Sequence, residues 1–138
     1  ALACEFSRRG RDLPLAFNRK EAKDHGEGGR LIGAPLEGKR VLIVDDVITA
    51  GTAVREALAL IRNGGGLPAG IAIALDREER ASDADARSAA RAVAEEQRIP
   101  VVAVARLADL LAFAGENATL AAERERLRAY RARYGAAE

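Results

Sequence analysis

Residues 41–53 read VLIVDDVITAGTA. The opening run is apolar and rich in β-branched residues, which predicts a strand over 41–46 buried on both faces. It ends in two adjacent aspartates, Asp45 and Asp46. Like charges side by side are costly unless something positive or rich in hydroxyls meets them. Thr49, Ala50, Gly51, Thr52 and Ala53 then make a small-residue turn. From Thr52 to Asn63, Val54, Leu58 and Ile61 recur at helical spacing until the Gly-Gly-Gly of 64–66 ends the helix. Strand, acidic pair, turn and helix make a βα unit, and in open parallel sheets ligands lie beyond the carboxyl ends of such strands.

On either side the alternation continues. ALACEFSRRG (1–10) reads as a helix stopped by Gly10, LPLAF (13–17) as a short buried strand, and FNRKEAKDHGEGG (17–29) as a charged, glycine-rich loop. LIGAPLEG (31–38) reads as a ribbon or turn. GIAIALD (70–76) predicts a strand, REERASDAD (77–85) a polar loop, and 84–98 an Ala-rich helix. VVAVA (101–105) is a further buried strand, and helices over 107–113 and 119–134 close the chain. This order predicts an α/β fold, an open and mostly parallel sheet flanked by helices on both faces, in one domain over 1–138. Asp45, Asp46, Asp76, Arg77 and the loop after Phe17 fall at strand ends and are expected to converge on one crevice.

Composition narrows the classes. Lys and Arg number 22 against 21 Asp and Glu, so no global charge points to nucleic acid or an acidic membrane. No apolar run approaches the about 18 residues of a spanning helix. The one cysteine, Cys4, excludes a disulfide framework and reads as a small core hydrophobe; a reducing cytoplasm is the expected compartment. The chain opens inside a helical pattern with no Met and no N-cap residue, which is expected of a piece of a longer protein.

An acidic pair ending a strand also opens the phospho-receiver domains, but these need a lysine after the later strands. Here Lys20, Lys23 and Lys39 all precede the aspartates. The whole of VLIVDDVITAGTA instead resembles the 5-phosphoribosyl-1-pyrophosphate (PRPP) motif of the type I phosphoribosyltransferases. The resemblance implies PRPP binding by Asp45, Asp46, Val47, Ile48, Thr49, Ala50, Gly51, Thr52 and Ala53. Adjacent carboxylates accept hydrogen bonds from vicinal ribose hydroxyls, and their charge favours the oxocarbenium character that C1 gains in transfer. The turn's N–H groups, hydroxyls and helix dipole suit a 5′-phosphate.

The loop at 17–29 resembles the catalytic lid of the orotate-using branch of that family. By that resemblance Arg19, Lys20, Lys23 and His25 meet pyrophosphate, and Lys23, His25, Asp45 and Asp46 carry catalysis. LDREER (75–80) resembles the segment whose arginine binds the base, which implies that Arg77, with Thr49, binds orotate. The implied reaction transfers ribose 5-phosphate from PRPP to orotate, giving orotidine 5′-monophosphate and pyrophosphate in pyrimidine (UMP) biosynthesis. Mg²⁺ is implied as cofactor, held by PRPP and reached from Asp45 or Asp46 only through water. A homodimer is implied, each lid serving the neighbouring site, with no nucleic acid or membrane partner. The resemblance implies an N-terminal hood and a first core strand that are expected to fall outside the sequence from Ala1 onward. Two alternatives share the PRPP motif: a transferase for another base, and a non-catalytic PRPP-binding regulator on the same fold.

Overall fold

The structure is a computed structural model and describes residues 2–18 and 31–137. Helix α1 (Leu2–Arg8) is followed by strands β1 (Ala16–Asn18) and β2 (Leu31–Gly33), which pair antiparallel as a separate ribbon. Strand β3 (Arg40–Asp45), helix α2 (Thr52–Asn63) and strand β4 (Leu67–Asp76) form a βαβ unit. Strands β5 (Arg80–Ser82) and β6 (Asp85–Ser88) make a small hairpin before helix α3 (Ala89–Gln97) and strand β7 (Val101–Arg106). Helix α4 (Leu107–Glu116), a 3-10 turn over Ala118–Leu120 and helix α5 (Ala121–Tyr134) complete the chain.

The central sheet has the order β3-β4-β7, all parallel. Because the order runs in one direction, crossovers of one hand carry both connecting helices to the same face. Ile71 and Ile73 of β4 pack there with Val54 and Leu58 of α2 and Ala89, Ala90 and Val93 of α3, all buried. Ile43, Val101 and Ala103 complete this side of the sheet. On the other face Leu42 is 57% exposed, Val44 53%, Val102 63% and Val104 87%. The strand over 41–46 is thus buried on one side among the described residues, not on both as its composition predicts. A β-branched run reads the same whether or not its second face is covered.

Three further readings are corrected. Leu13, Leu15 and Phe17 are exposed, and pairing begins only at Ala16, so 13–17 is no buried strand. Cys4 is exposed because α1 buries none of its residues. The region 84–98 is helical only from Ala89. The Ser88 hydroxyl accepts from Arg91 N (3.1 Å) and caps α3, while Asp85 and Arg87 hold the hairpin before it. Helix α1 does end as expected: Gly10 has φ +72°, and Arg11 N donates to the Phe6 carbonyl (2.9 Å). Among the described residues no helix is long and apolar enough to cross a membrane.

The hairpin rests on an ion-pair network. The Asp85 carboxylate accepts from Arg87 N (3.0 Å), Nε (2.9 Å) and Nη2 (2.6 Å), and Arg87 Nη1 also donates to Glu95 (2.7 Å). The Arg87 side-chain bonds, and then its backbone bond, hold the Asp85 carboxyl down at about 2 from its ordinary 3.8. Arg91 and Arg87 lower Glu95 in the same way. A depressed carboxyl adds stability above its unfolded value and loses it as pH falls through the folded one. Asp85 is therefore expected to titrate near pH 2 by carboxyl NMR, and Arg87→Ala to lift that midpoint towards 4. The small loss of stability between about pH 4 and 2 should flatten in the variant. An unchanged Asp85 midpoint in Arg87→Ala would remove the chelate from the account.

Candidate functional site

The acidic pair is fixed by the backbone around it. Asp46 N donates to Asp45 Oδ1 (2.9 Å), and Val47 N donates to Asp46 Oδ1 (2.7 Å). The Asp46 carbonyl accepts from both Ala74 N (3.0 Å) and Leu75 N (3.0 Å), tying the end of β3 to β4. Ile48 is buried in the core, so the turn that follows is anchored before it leaves the sheet. Gly51 then takes the left-handed conformation, φ +73°, and α2 begins with no side chain capping it. Its first N–H groups are thereby left to whatever occupies the space in front of them.

That space is a cavity of about 340 Å³ lined by Asp45, Val47, Ile48, Thr49, Gly51, Thr52, Ala53, Val54 and Glu56. A larger cleft of about 640 Å³ lies between the hairpin and α5, but Glu79, Arg80, Ser82, Asp83, Tyr130 and Tyr134 line it and no end of the central strands reaches it. Of the sequence candidates, Asp45, Val47, Ile48, Thr49, Gly51, Thr52 and Ala53 meet in the smaller cavity. Asp46 is exposed beside it, and the Ala50 carbonyl is turned away, accepting from Arg55 Nη1 (2.7 Å). Arg19, Lys20, Lys23 and His25 lie outside the described residues.

Arg77 does not line this cavity. It follows β4 in a sharp turn in which Glu78 N donates to Asp76 Oδ1 (2.8 Å) and Glu78 itself has φ +53°. Arg77 Nη2 pairs with Glu79 (2.9 Å), while its Nε is buried with no hydrogen-bond partner among the described residues. A buried N–H without a partner is costly, so this nitrogen is a candidate contact for a bound group. Asp76 lines a different cavity with Glu78, Ser88 and Arg106, so among the described residues Asp45 and Asp76 do not line one crevice.

Arg55 and Glu56 are not among the residues expected from the sequence. Glu56 lies one turn after Thr52 and lines the cavity; that spacing was legible, since residues four apart share a helix face. The importance of Arg55 was not, because it depends on Glu96 of α3, to which Arg55 Nη2 donates (2.8 Å).

No three His, Cys, Asp or Glu side chains among the described residues come together as a metal site. The neighbouring Asp45 and Asp46 carboxylates offer oxygen donors of the kind a hydrated divalent cation accepts.

Gly51 is required twice over. A Cβ there would lie 2.8 Å from Val93 Cγ2 and 3.0 Å from Arg55 Nη1, besides facing a positive φ. Gly38 has φ +65° with nothing within 4 Å, so it isolates the backbone part. Gly38→Ala is expected to lose about 1–3 kcal/mol in denaturant unfolding, and Gly51→Ala distinctly more, since buried Val93 cannot yield freely. Equal losses would show that the close approach at Gly51 costs nothing.

The geometry is that of a strand–turn–helix with an acidic pair at the strand end and no side-chain cap at the helix start. Residues 1–108 match the phosphoribosyl transferase domain, and the chain belongs to that family. It is 73% identical over 135 residues to the orotate phosphoribosyltransferase of Xanthomonas campestris pv. campestris, covering 98% of this chain and 62% of that protein. Among solved structures, the orotate phosphoribosyltransferase of Francisella tularensis superposes with a TM-score of 0.79 at 31% identity, over 98% of this chain and 63% of that one. The Mycobacterium tuberculosis orotate phosphoribosyltransferase in complex with PRPP gives a TM-score of 0.57 at 31% identity, over 73% of this chain and 52% of that one. The fold is therefore the type I phosphoribosyltransferase α/β fold, and the chain spans 62% of the length of the Xanthomonas relative.

Proposed function

We propose that these residues form the PRPP site of an orotate phosphoribosyltransferase. Orotate N1 attacks C1 of PRPP, and pyrophosphate leaves with the electrons of the C1–O bond. Asp45 and Asp46 accept hydrogen bonds from the ribose 2′- and 3′-hydroxyls, and their charge favours the positive C1 of the transition state. The N–H groups and hydroxyls of Thr49–Thr52 hold the 5′-phosphate. Arg77, with its unused Nε, is the cation for the anionic base, and Thr49 lies at the boundary between the two substrates. Mg²⁺, when bound with PRPP and reached from Asp45 or Asp46 through water, would supply charge neutralisation of the pyrophosphate. Arg19, Lys20, Lys23 and His25 are given the leaving group on the strength of the sequence resemblance, with the loop acting across a homodimer in the cytoplasm.

The single observation that carries this reading is the meeting of Asp45 with the uncapped start of α2 in one cavity. The choice of base is supported by the identity to the Xanthomonas protein and by Arg77. The test is a chimaera in which these residues replace the matched part of that protein. It is expected to consume orotate, followed by ultraviolet absorbance, only when PRPP and Mg²⁺ are both supplied. Consumption of uracil or a purine in place of orotate would move the reading to another transferase, and PRPP binding without turnover of any base would make it a regulator.

A further inference from the structure

The turn that holds Thr49–Thr52 has little of its own to hold it. Ala50 and Thr49 are exposed, Gly51 is the residue with the fewest conformational restraints, and no side chain caps the helix that follows. Two things lie behind it. One is Val93 of α3, against which Gly51 is seated. The other is the guanidinium of Arg55, with Nη1 3.0 Å from where a Gly51 Cβ would lie. The same Nη1 donates to the Ala50 carbonyl (2.7 Å), and Nη2 donates to Glu96 on α3 (2.8 Å). Glu96 also lies 3.9 Å from Arg87, so the fork is tied to the network that holds the hairpin.

We infer that Arg55 is a positioning residue for the phosphate turn: its planar fork joins the Ala50 carbonyl to α3, and so keeps the N–H groups of the turn aimed into the cavity. The role rests on the PRPP reading of that cavity. Arg55 does not line the cavity, so its charge acts through the peptide it holds. The carbonyl that it draws back belongs to the peptide whose N–H is Gly51's, and a peptide is planar, so fixing one end orients the other. An arginine suits the task where a lysine does not, because two separate N–H groups reach two acceptors at once.

The probe is PRPP with Mg²⁺, titrated into this 138-residue chain by calorimetry, with ¹⁵N NMR of the turn amides in the absence of ligand. Arg55→Ala is expected to weaken PRPP binding about tenfold, the scale of one hydrogen bond to a charged group. Its thermal midpoint should move by only a few degrees, since the Arg55–Glu96 pair is half exposed. The ligand-free amide shifts of residues 49–52 should move while those of the sheet stay in place. Arg55→Lys, which can serve one acceptor but not both, should recover part of the affinity, and Glu96→Gln should lose less than Arg55→Ala. If the wild-type chain binds PRPP and Arg55→Ala binds it equally well, the positioning role is wrong and the site reading stands. If Arg55→Ala lowers the midpoint steeply while its folded fraction binds normally, Arg55 is a stability residue only. A wild-type chain that binds no PRPP overturns the site reading, and the role of Arg55 with it.

Discussion

Asp45→Asn in the Xanthomonas chimaera is expected to lower turnover by about 10²- to 10³-fold, the scale for removing one preorganised electrostatic group from a transition state. The substitution separates charge from structure because of how the carboxylate is used. Asp45 Oδ1 accepts one backbone hydrogen bond, from Asp46 N. An asparagine oxygen accepts that bond equally well, so the local turn persists. What is lost is the negative charge at the proposed ribose site, which matters most when C1 becomes cationic. The thermal midpoint should therefore stay within a few degrees of the parent while kcat falls. A variant that unfolds, yet shows full specific activity in its folded fraction, would mean that Asp45 serves the fold and that the ribose is held elsewhere.

The same variant serves a second experiment. Lys23→Ala removes a loop cation proposed to meet pyrophosphate as the bond breaks, and it too should cost about 10²- to 10³-fold. If the loop serves the neighbouring subunit, the two defects lie in different halves of a shared site. A Lys23→Ala chain keeps a sound acidic pair, and an Asp45→Asn chain keeps a sound loop. Mixed with random exchange of subunits, half the dimers are hybrids, each with one intact site of two, so activity should recover to about a quarter of the parent. Each variant incubated alone stays inactive. No recovery despite demonstrated exchange places Lys23 in its own chain's site or outside catalysis.

How far the fold was legible depended on whether a signal was local. Helix α2 is found at Thr52–Asn63, where the apolar spacing and the Gly-Gly-Gly stop put it, because both are properties of adjacent residues. Strand β7 follows a short β-branched run, and the parallel order follows from the alternation of such runs with helices. The hairpin at 80–88 was missed because its apolar content is slight. It is held by Asp85, Arg87 and Glu95, whose charges read in sequence as ordinary surface. Ser88 was a legible helix start, hidden inside an Ala-rich stretch that favours helix throughout. In the site, the acidic pair and the turn were readable because one short segment supplies them all. Arg77 was named through the resemblance of LDREER alone, whereas Arg55 depends on Glu96 of α3, which only the folded chain brings beside it.

The hairpin is also joined to the last residues of the fold. Glu79 bridges to Gly135, Ala136 N donates to the Glu78 carbonyl (2.8 Å), and Ala137 N donates to the Ala86 carbonyl (3.0 Å). Arg80 reaches the same end through the Arg133 carbonyl (2.8 Å). On a ribosome these partners emerge long after the residues they secure. The β3-α2-β4 unit, with its acidic pair and the turn at 49–52, has all its local partners early, whereas the segment beginning at Arg77 stays unfastened until α5 has left the exit tunnel. Synthesis thus completes the acidic pair and the turn after it first and fastens the segment carrying Arg77 last, so a nascent chain that stalls before residue 135 would hold the one without the other.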